Sequence, residues 1–171
     1  MNLILIGYRG TGKSTVARLL ASRLGWQTVS TDARIVERAQ LYIPDIVAQF
    51  GWDHFRDLET TVCQELKGKD HLIIDTGGGA ILREANVEAL KPGGMMCWLT
   101  ASIETISQRI AGNAQRPSLT SGKTFIEEIE EVLAKRTPKY EAAADFIVET
   151  DRRSAEQIAD QILAEFRRRQ G

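Results

Sequence analysis

The sequence predicts an α/β fold: a three-layer α/β/α arrangement with one five-stranded parallel sheet and helices on both faces. Short apolar runs, too brief for helices, alternate along the chain with longer segments at helical spacing. The first of these runs leads directly into a glycine-rich turn and then a helix, the order that a phosphate-binding loop needs. The length, 171 residues, fits a single domain large enough to bury a proper core.

Leu3-Ile4-Leu5-Ile6 is the first strand, apolar throughout because a parallel strand is covered on both faces. Gly7-Tyr8-Arg9-Gly10-Thr11-Gly12-Lys13-Ser14 is a full G-x-x-x-x-G-K-[ST] match. Its glycines let successive backbone N–H groups turn toward phosphate oxygens. The helix that follows, marked by Val16, Leu19, Leu20 and Leu24, adds its positive end. Lys13 supplies a mobile charge for the β- and γ-phosphates, and the Ser14 hydroxyl suits Mg²⁺.

Trp26 to Ser30 is the second strand, and Thr31-Asp32 starts a helix. Residues leaving the carboxyl ends of such strands face the ligand crevice, so Asp32 is placed for chemistry or for capping its helix. Residues 33–67 form a long, mostly helical insertion broken at Gly51, its 33–60 portion expected to bind substrate. Arg56 and Glu59 share one helix face there. They are either a solvated ion pair or an arginine aimed by a carboxylate at an anion, with Phe55 and Trp52 as an apolar wall. Leu72 to Asp75 is the third strand, followed by Thr76-Gly77-Gly78-Gly79. The triple glycine is a tight turn or a place where a ligand approaches the backbone. A strand closing on an aspartate suits a carboxylate that steadies magnesium.

Met95 to Leu99 is the fourth strand, and a helix over 102–110 carries Arg109. Residues 111–123 lose periodicity, as a surface loop or as a lid from which Arg116 reaches developing phosphoryl charge. A helix over 125–140, with Phe125, Ile126, Ile129, Val132 and Leu133, carries Arg136 in its last turns. Phe146 to Val148 is the fifth strand, and a closing helix begins at Ser154 with capping-box character. Its Arg167-Arg168-Arg169 end suits a solvated terminus, not a nucleic-acid patch. The predicted strand order is nucleoside-kinase-like, 2-3-1-4-5.

A net charge of −1 offers no field to attract nucleic acid or membrane. No apolar run is long enough to span a bilayer. The chain opens on a core strand with no leader pattern, and Cys63 and Cys97 lack metal-ligand spacing. Together these point to a cytoplasmic protein, with a monomer as the default.

Several of these motifs together resemble the shikimate kinase family, over nearly the whole chain: the early phosphate loop, Asp32, Phe55-Arg56-x-x-Glu59, Gly77-Gly78-Gly79, Arg116-Pro117, and Lys135-Arg136-Thr137-Pro138-Lys139-Tyr140. The resemblance implies transfer of the γ-phosphoryl group of ATP, with Mg²⁺, to the 3-hydroxyl of shikimate, in the synthesis of chorismate and the aromatic amino acids. It implies ATP contacts from Gly10, Thr11, Gly12, Lys13, Ser14, Thr15, Arg109, Arg116 and Arg153. Lys13 and Arg116 would straddle the transferring group, and Asp32 would be the base. Arg56 and Arg136 would grip the carboxylate with Glu59 orienting Arg56, Phe55 lining the apolar side, and Gly77, Gly78 and Gly79 against the ring.

One departure stands out. The family usually carries Asp-x-Asp at the end of strand two, where this chain has Ser30, and a small residue where this chain has Asp75. The expectation is that Asp75 takes over the carboxylate beside the magnesium, with Ser30 a spectator or hydroxyl partner. Two other functions compete: a gluconate-kinase-like enzyme, and a nucleotide-binding module without catalysis.

Overall fold

The computed structural model describes residues 1–111 and 124–171; the expected lid, with Arg116, lies outside the described residues apart from Ala111. The parallel strands are β1 (Asn2–Ile6), β2 (Gln27–Ser30), β3 (Leu72–Asp75), β4 (Gly94–Thr100) and β5 (Phe146–Glu149). Their order, β2-β3-β1-β4-β5, is the one expected. The described helices are α1 (Lys13–Leu24), α2 (Thr31–Ala39), α3 (Ile43–Leu66), α4 (Glu84–Leu90), α5 (Ile103–Ile110), α6 (Phe125–Ala143) and α7 (Ala155–Gln170).

The period-two alternation of β1 divides the core. Leu3 and Leu5 face one side, where Val16 and Leu20 of α1 and Ile158, Ile162 and Phe166 of α7 cover them. Ile4 and Ile6 face the other, packed with Ile35 of α2, Phe55 and Val62 of α3, Leu90 of α4 and Tyr140 of α6. All five residues of β1 are buried, which is why its sequence shows no polar alternation. Cys63 and Cys97 are buried among these side chains, and burial pushes both thiols up to about 12. Both are unreactive fillers of the core.

Local chemistry sets the helix ends. The hydroxyls of Ser30, Ser102, Thr124 and Ser154 accept from backbone N–H groups of α2, α5, α6 and α7, and the last two helices close full capping boxes with Glu127 and Gln157. Gly51 sits in α3 at φ 86° and breaks it into two arms. The second arm points Phe55, Arg56 and Glu59 back at the sheet.

Two features differ from the sequence reading. Helix α4 was not anticipated, because its seven residues make too short a segment for helical periodicity to show. Phe125 and Ile126 were expected on the apolar face of α6 but are exposed, whereas Ile129 and Val132 are buried. Strand β2 is an edge strand, as the predicted order requires, and Ser30 lies opposite Asp75 of β3. Among the described residues, no helix is long and apolar enough to cross a membrane.

Candidate active site

The carboxyl ends of β1, β2 and β3 open into one cleft of about 790 Å³, whose walls include Gly10, Gly12, Lys13, Ser14, Thr15, Asp32, Asp75 and Arg109. The phosphate loop makes its floor. Gly10 and Gly12 have φ of 81° and 92°, the left-handed region that side chains resist. Gly10 is also confined by Ile110, whose Cγ2 would lie 2.6 Å from an added Cβ. Thr11 is fully buried and braces the loop by donating to the Tyr8 carbonyl at 2.8 Å. Lys13, Ser14 and Thr15 form the first turn of α1, where backbone N–H groups have no helical partner. Lys13 Nζ donates to the carbonyls of Gly7 and Tyr8, at 2.8 and 3.1 Å. Arg109 closes the cleft from α5, its Nη1 donating to the Gly10 carbonyl and to Thr150 Oγ1.

Ser14 Oγ donates to Asp75 Oδ2 at 2.6 Å, so the loop hydroxyl and the carboxylate at the tip of β3 meet. Ser30 Oγ accepts from Ala33 N–H at 3.1 Å and is the cap of α2, a hydroxyl role within its own helix. Asp32 is therefore not the cap. It lies in the first turn of α2, where its charge also suits the helix dipole.

The triple glycine follows directly on Thr76 of the cleft wall. Thr31 Oγ1 accepts from Gly77 N–H at 2.9 Å, fixing the glycine turn to the start of α2. A Cβ on Gly77 would lie 2.6 Å from Asp32 Oδ1 and 3.0 Å from Glu59 Oε2, so two carboxylates flank this one backbone atom. A Cβ on Gly79 would sit inside the Arg56 guanidinium. On Gly78 it would meet Arg136 Nη1 at 3.4 Å. The glycines are there because two arginines and two acids crowd the same turn.

Arg56 and Glu59 are not a solvated surface pair. Arg56 Nη1 donates to Glu59 Oε1 at 2.9 Å, and the Glu59 side chain is fully buried. Arg56 also rests on the rings of Trp52 and Phe55, 5.3 and 5.2 Å from their centroids. Phe55 itself is buried. Burial pushes the Glu59 carboxyl up from its ordinary value, against the pull of Arg56, Arg136 and Arg83. Its second oxygen, Oε2, has no hydrogen-bond partner among the described residues. Arg136 reaches the same turn from α6 and is itself buried. Tyr140, one turn further along, donates to the Gly78 carbonyl.

Arg153 does not line the cleft and is held at the start of α7. Its guanidinium donates to the Glu149 carbonyl and to Gln161 of α7. Two contacts of Arg9 escaped sequence reasoning: it lines the cleft and pairs with Glu128 of α6, Nη2 to Oε1 at 3.5 Å. The only signal was a bulky cationic residue at a variable position of the glycine loop.

The family model for shikimate kinase matches residues 9–167. The chain belongs to the shikimate kinase family. A curated shikimate kinase from Nitratidesulfovibrio vulgaris is 41% identical over 152 residues, covering 87% of this chain and 86% of the relative. One from Syntrophus aciditrophicus is 42% identical over 176 residues, covering 96% and 90%. Among solved structures, a shikimate kinase from Acinetobacter baumannii in complex with shikimate superposes with a TM-score of 0.92 at 34% identity, covering 96% of this chain and 92% of that one. A gluconokinase from Sinorhizobium meliloti superposes with a TM-score of 0.59 at 16% identity, covering 98% and 91%, which shows the fold alone.

Proposed function

We propose that this protein phosphorylates the 3-hydroxyl of shikimate at the expense of ATP, as a single monomeric domain in the cytoplasm. The observation that carries the reading is the meeting of Arg56 and Arg136 on the glycine turn beside Asp32 and the phosphate loop. Two guanidinium groups suit a carboxylate, and a nearby aspartate suits a hydroxyl. Shikimate has one carboxylate and three hydroxyls, so an acceptor held at both ends presents a hydroxyl toward the nucleotide.

Loop N–H groups and Lys13 hold the phosphates of ATP, and Arg109 supports the adenine side. Thr15 follows Ser14 on the same helix turn. The acceptor oxygen attacks the γ-phosphorus, the bond to the β–γ bridging oxygen breaks, and ADP leaves. Asp32 takes the hydroxyl proton. In a loose transition state proton transfer comes late, so an ordinary carboxylate suffices as base. Arg56 and Arg136 bind the acceptor carboxylate, Glu59 fixes Arg56, and Phe55 with Trp52 supplies an apolar side. The backbone of Gly77, Gly78 and Gly79 lies against the ring. Arg116 and the lid, outside the described residues, and Arg153 carry roles that the family resemblance alone suggests.

The donors fit Mg²⁺. Ser14 and Asp75 offer hard oxygens at the loop, and no cluster of three metal-binding side chains exists among the described residues. Mg²⁺ takes oxygen ligands, few of them from protein, and completes its shell with water and phosphate oxygens. Ser14 would ligate the ion, with Asp75 steadying its water shell in place of the family's strand-two aspartate. When bound, Mg²⁺ neutralises charge on the β- and γ-phosphates.

The test is coupled detection of ADP release from Mg²⁺-ATP, with and without shikimate. Strong shikimate-dependent release is expected. Release with gluconate but not shikimate would replace the acceptor, and nucleotide binding without release under either would replace catalysis with binding.

A further inference from the structure

Arg9 and Glu128 form an ion pair, Nη2 to Oε1 at 3.5 Å. Arg9 belongs to the phosphate loop, and Glu128 sits in the first turn of α6. Their side chains are only 18% and 6% exposed, so the pair is sheltered from the screening that weakens surface ion pairs. Arg136 lies about two turns further along the same helix. The Tyr8 ring, fully buried, connects the loop to it a second time: the guanidinium groups of Arg9 and Arg136 lie 6.0 and 5.9 Å from its centroid. A third junction is Gly78, where an added Cβ would meet the Arg9 backbone N and Arg136 Nη1, each at 3.4 Å. Loop residues 7–9 and the helix that carries Arg136 are thus packed as one unit.

The same loop segment answers to the nucleotide. Lys13 donates to the carbonyls of Gly7 and Tyr8, and phosphate oxygens would compete for that ammonium group. Nucleotide therefore changes the environment of the residues that brace Arg136.

Building on the proposed acceptor, we infer that Arg9 and Glu128 form a strut linking nucleotide occupancy to the affinity for shikimate. Neither is a catalytic residue. Both are positioning residues that act through Tyr8 and Arg136. Each ligand stabilises the same packed arrangement of residues 7–9, so the ligand that binds first meets the ordering cost and the coupling is positive. Linkage makes it reciprocal.

The experiment is calorimetric titration of shikimate into the protein, without nucleotide and with saturating ADP, which cannot donate a γ-phosphoryl group. In the wild type, ADP is expected to tighten shikimate about fivefold or more. In Glu128→Gln the ratio falls toward one while affinity for ADP alone is retained. Arg9→Met, at the more exposed end of the pair, gives the same loss if Glu128→Gln folds poorly. Combining Arg9→Glu with Glu128→Arg restores part of the ratio, which a merely structural role would not do. A wild-type ratio of one overturns the strut, as does a ratio that survives both single variants. Shikimate that fails to bind the wild type under either condition overturns the acceptor reading itself, and the strut with it.

Discussion

The two halves of the crevice are built from different materials. The half assigned to nucleotide is largely backbone: the loop carbonyls and N–H groups, the left-handed Gly10 and Gly12, and the open first turn of α1. The half assigned to the acceptor is side chains from α2, α3 and α6 brought against one glycine turn. Backbone geometry reads phosphate, which every nucleotide shares. Side chains from separate helices read a particular arrangement of carboxylate and hydroxyls. A change in the first half is expected to damage every reaction of the fold equally, and a change in the second to damage one acceptor.

Asp32 stands where the halves meet, so it tests the boundary most severely. Asp32→Asn keeps the shape and removes the base. Turnover is expected to fall about 10²–10⁴-fold, with the KM for ATP little changed. Steady-state kinetics with both substrates varied decides it, and near-normal turnover would take Asp32 out of the chemistry.

Asp75 tests the nucleotide half. It lies opposite Ser30 in register, and its carboxylate already holds the Ser14 hydroxyl at 2.6 Å. Asp75→Asn is expected to raise the apparent magnesium constant about 10–100-fold, the usual effect of losing a partner outside the ligand sphere. A magnesium titration at fixed ATP that overlays the wild type would mean that the carboxylate has not moved from strand two to strand three.

The halves also differed in how legible they were. The phosphate loop is contiguous, so spacing alone placed Lys13 and Ser14; the alternation of strands and helices gave a parallel sheet, and its order came from likeness to nucleoside kinases. Arg56 and Glu59 were ambiguous, since i and i+3 spacing is the same on a wet face as on a buried one; only the burial of Glu59 separates the two. Arg136 gained meaning from the family resemblance, not from its own neighbourhood. The Arg9–Glu128 pair was invisible. Glu128 is one acid in a run that includes Glu127, Glu130 and Glu131, and nothing local marks the one that turns inward. Pairs that depend on packing between distant segments leave no local pattern.

Gly79 sharpens the acceptor half. An added methyl would occupy the place of the Arg56 guanidinium, the far end of a flexible side chain. The backbone there is not left-handed, so the fold should survive and the arginine should be pushed aside. Gly79→Ala is expected to raise the KM for shikimate about tenfold or more, the scale of one misaligned charge-assisted contact. The KM for ATP and the melting temperature should stay near the wild type. An equal rise in both KM values would dissolve the distinction between the halves.

Glu59 gives the smallest effect and the finest distinction, because two forces on its carboxyl oppose each other. Burial favours the protonated form, and Arg56, Arg136 and Arg83 favour the ionised one. Burial dominates, so the folded-state value is raised above the ordinary 4.5. A folded state that holds its proton more tightly than the unfolded chain loses stability as pH rises between the two values. The stabilising contribution is fully present below about 4.5 and is lost as pH climbs through the folded value. Glu59→Gln cannot titrate. The stability of the wild type relative to this variant, measured by urea unfolding at a series of pH values, should therefore decline from acid toward neutral pH. A difference that grows with pH would mean that the arginines outweigh burial. Glu59 would then be held ionised by the acceptor clamp, and the clamp would be organised by charge before any substrate arrives.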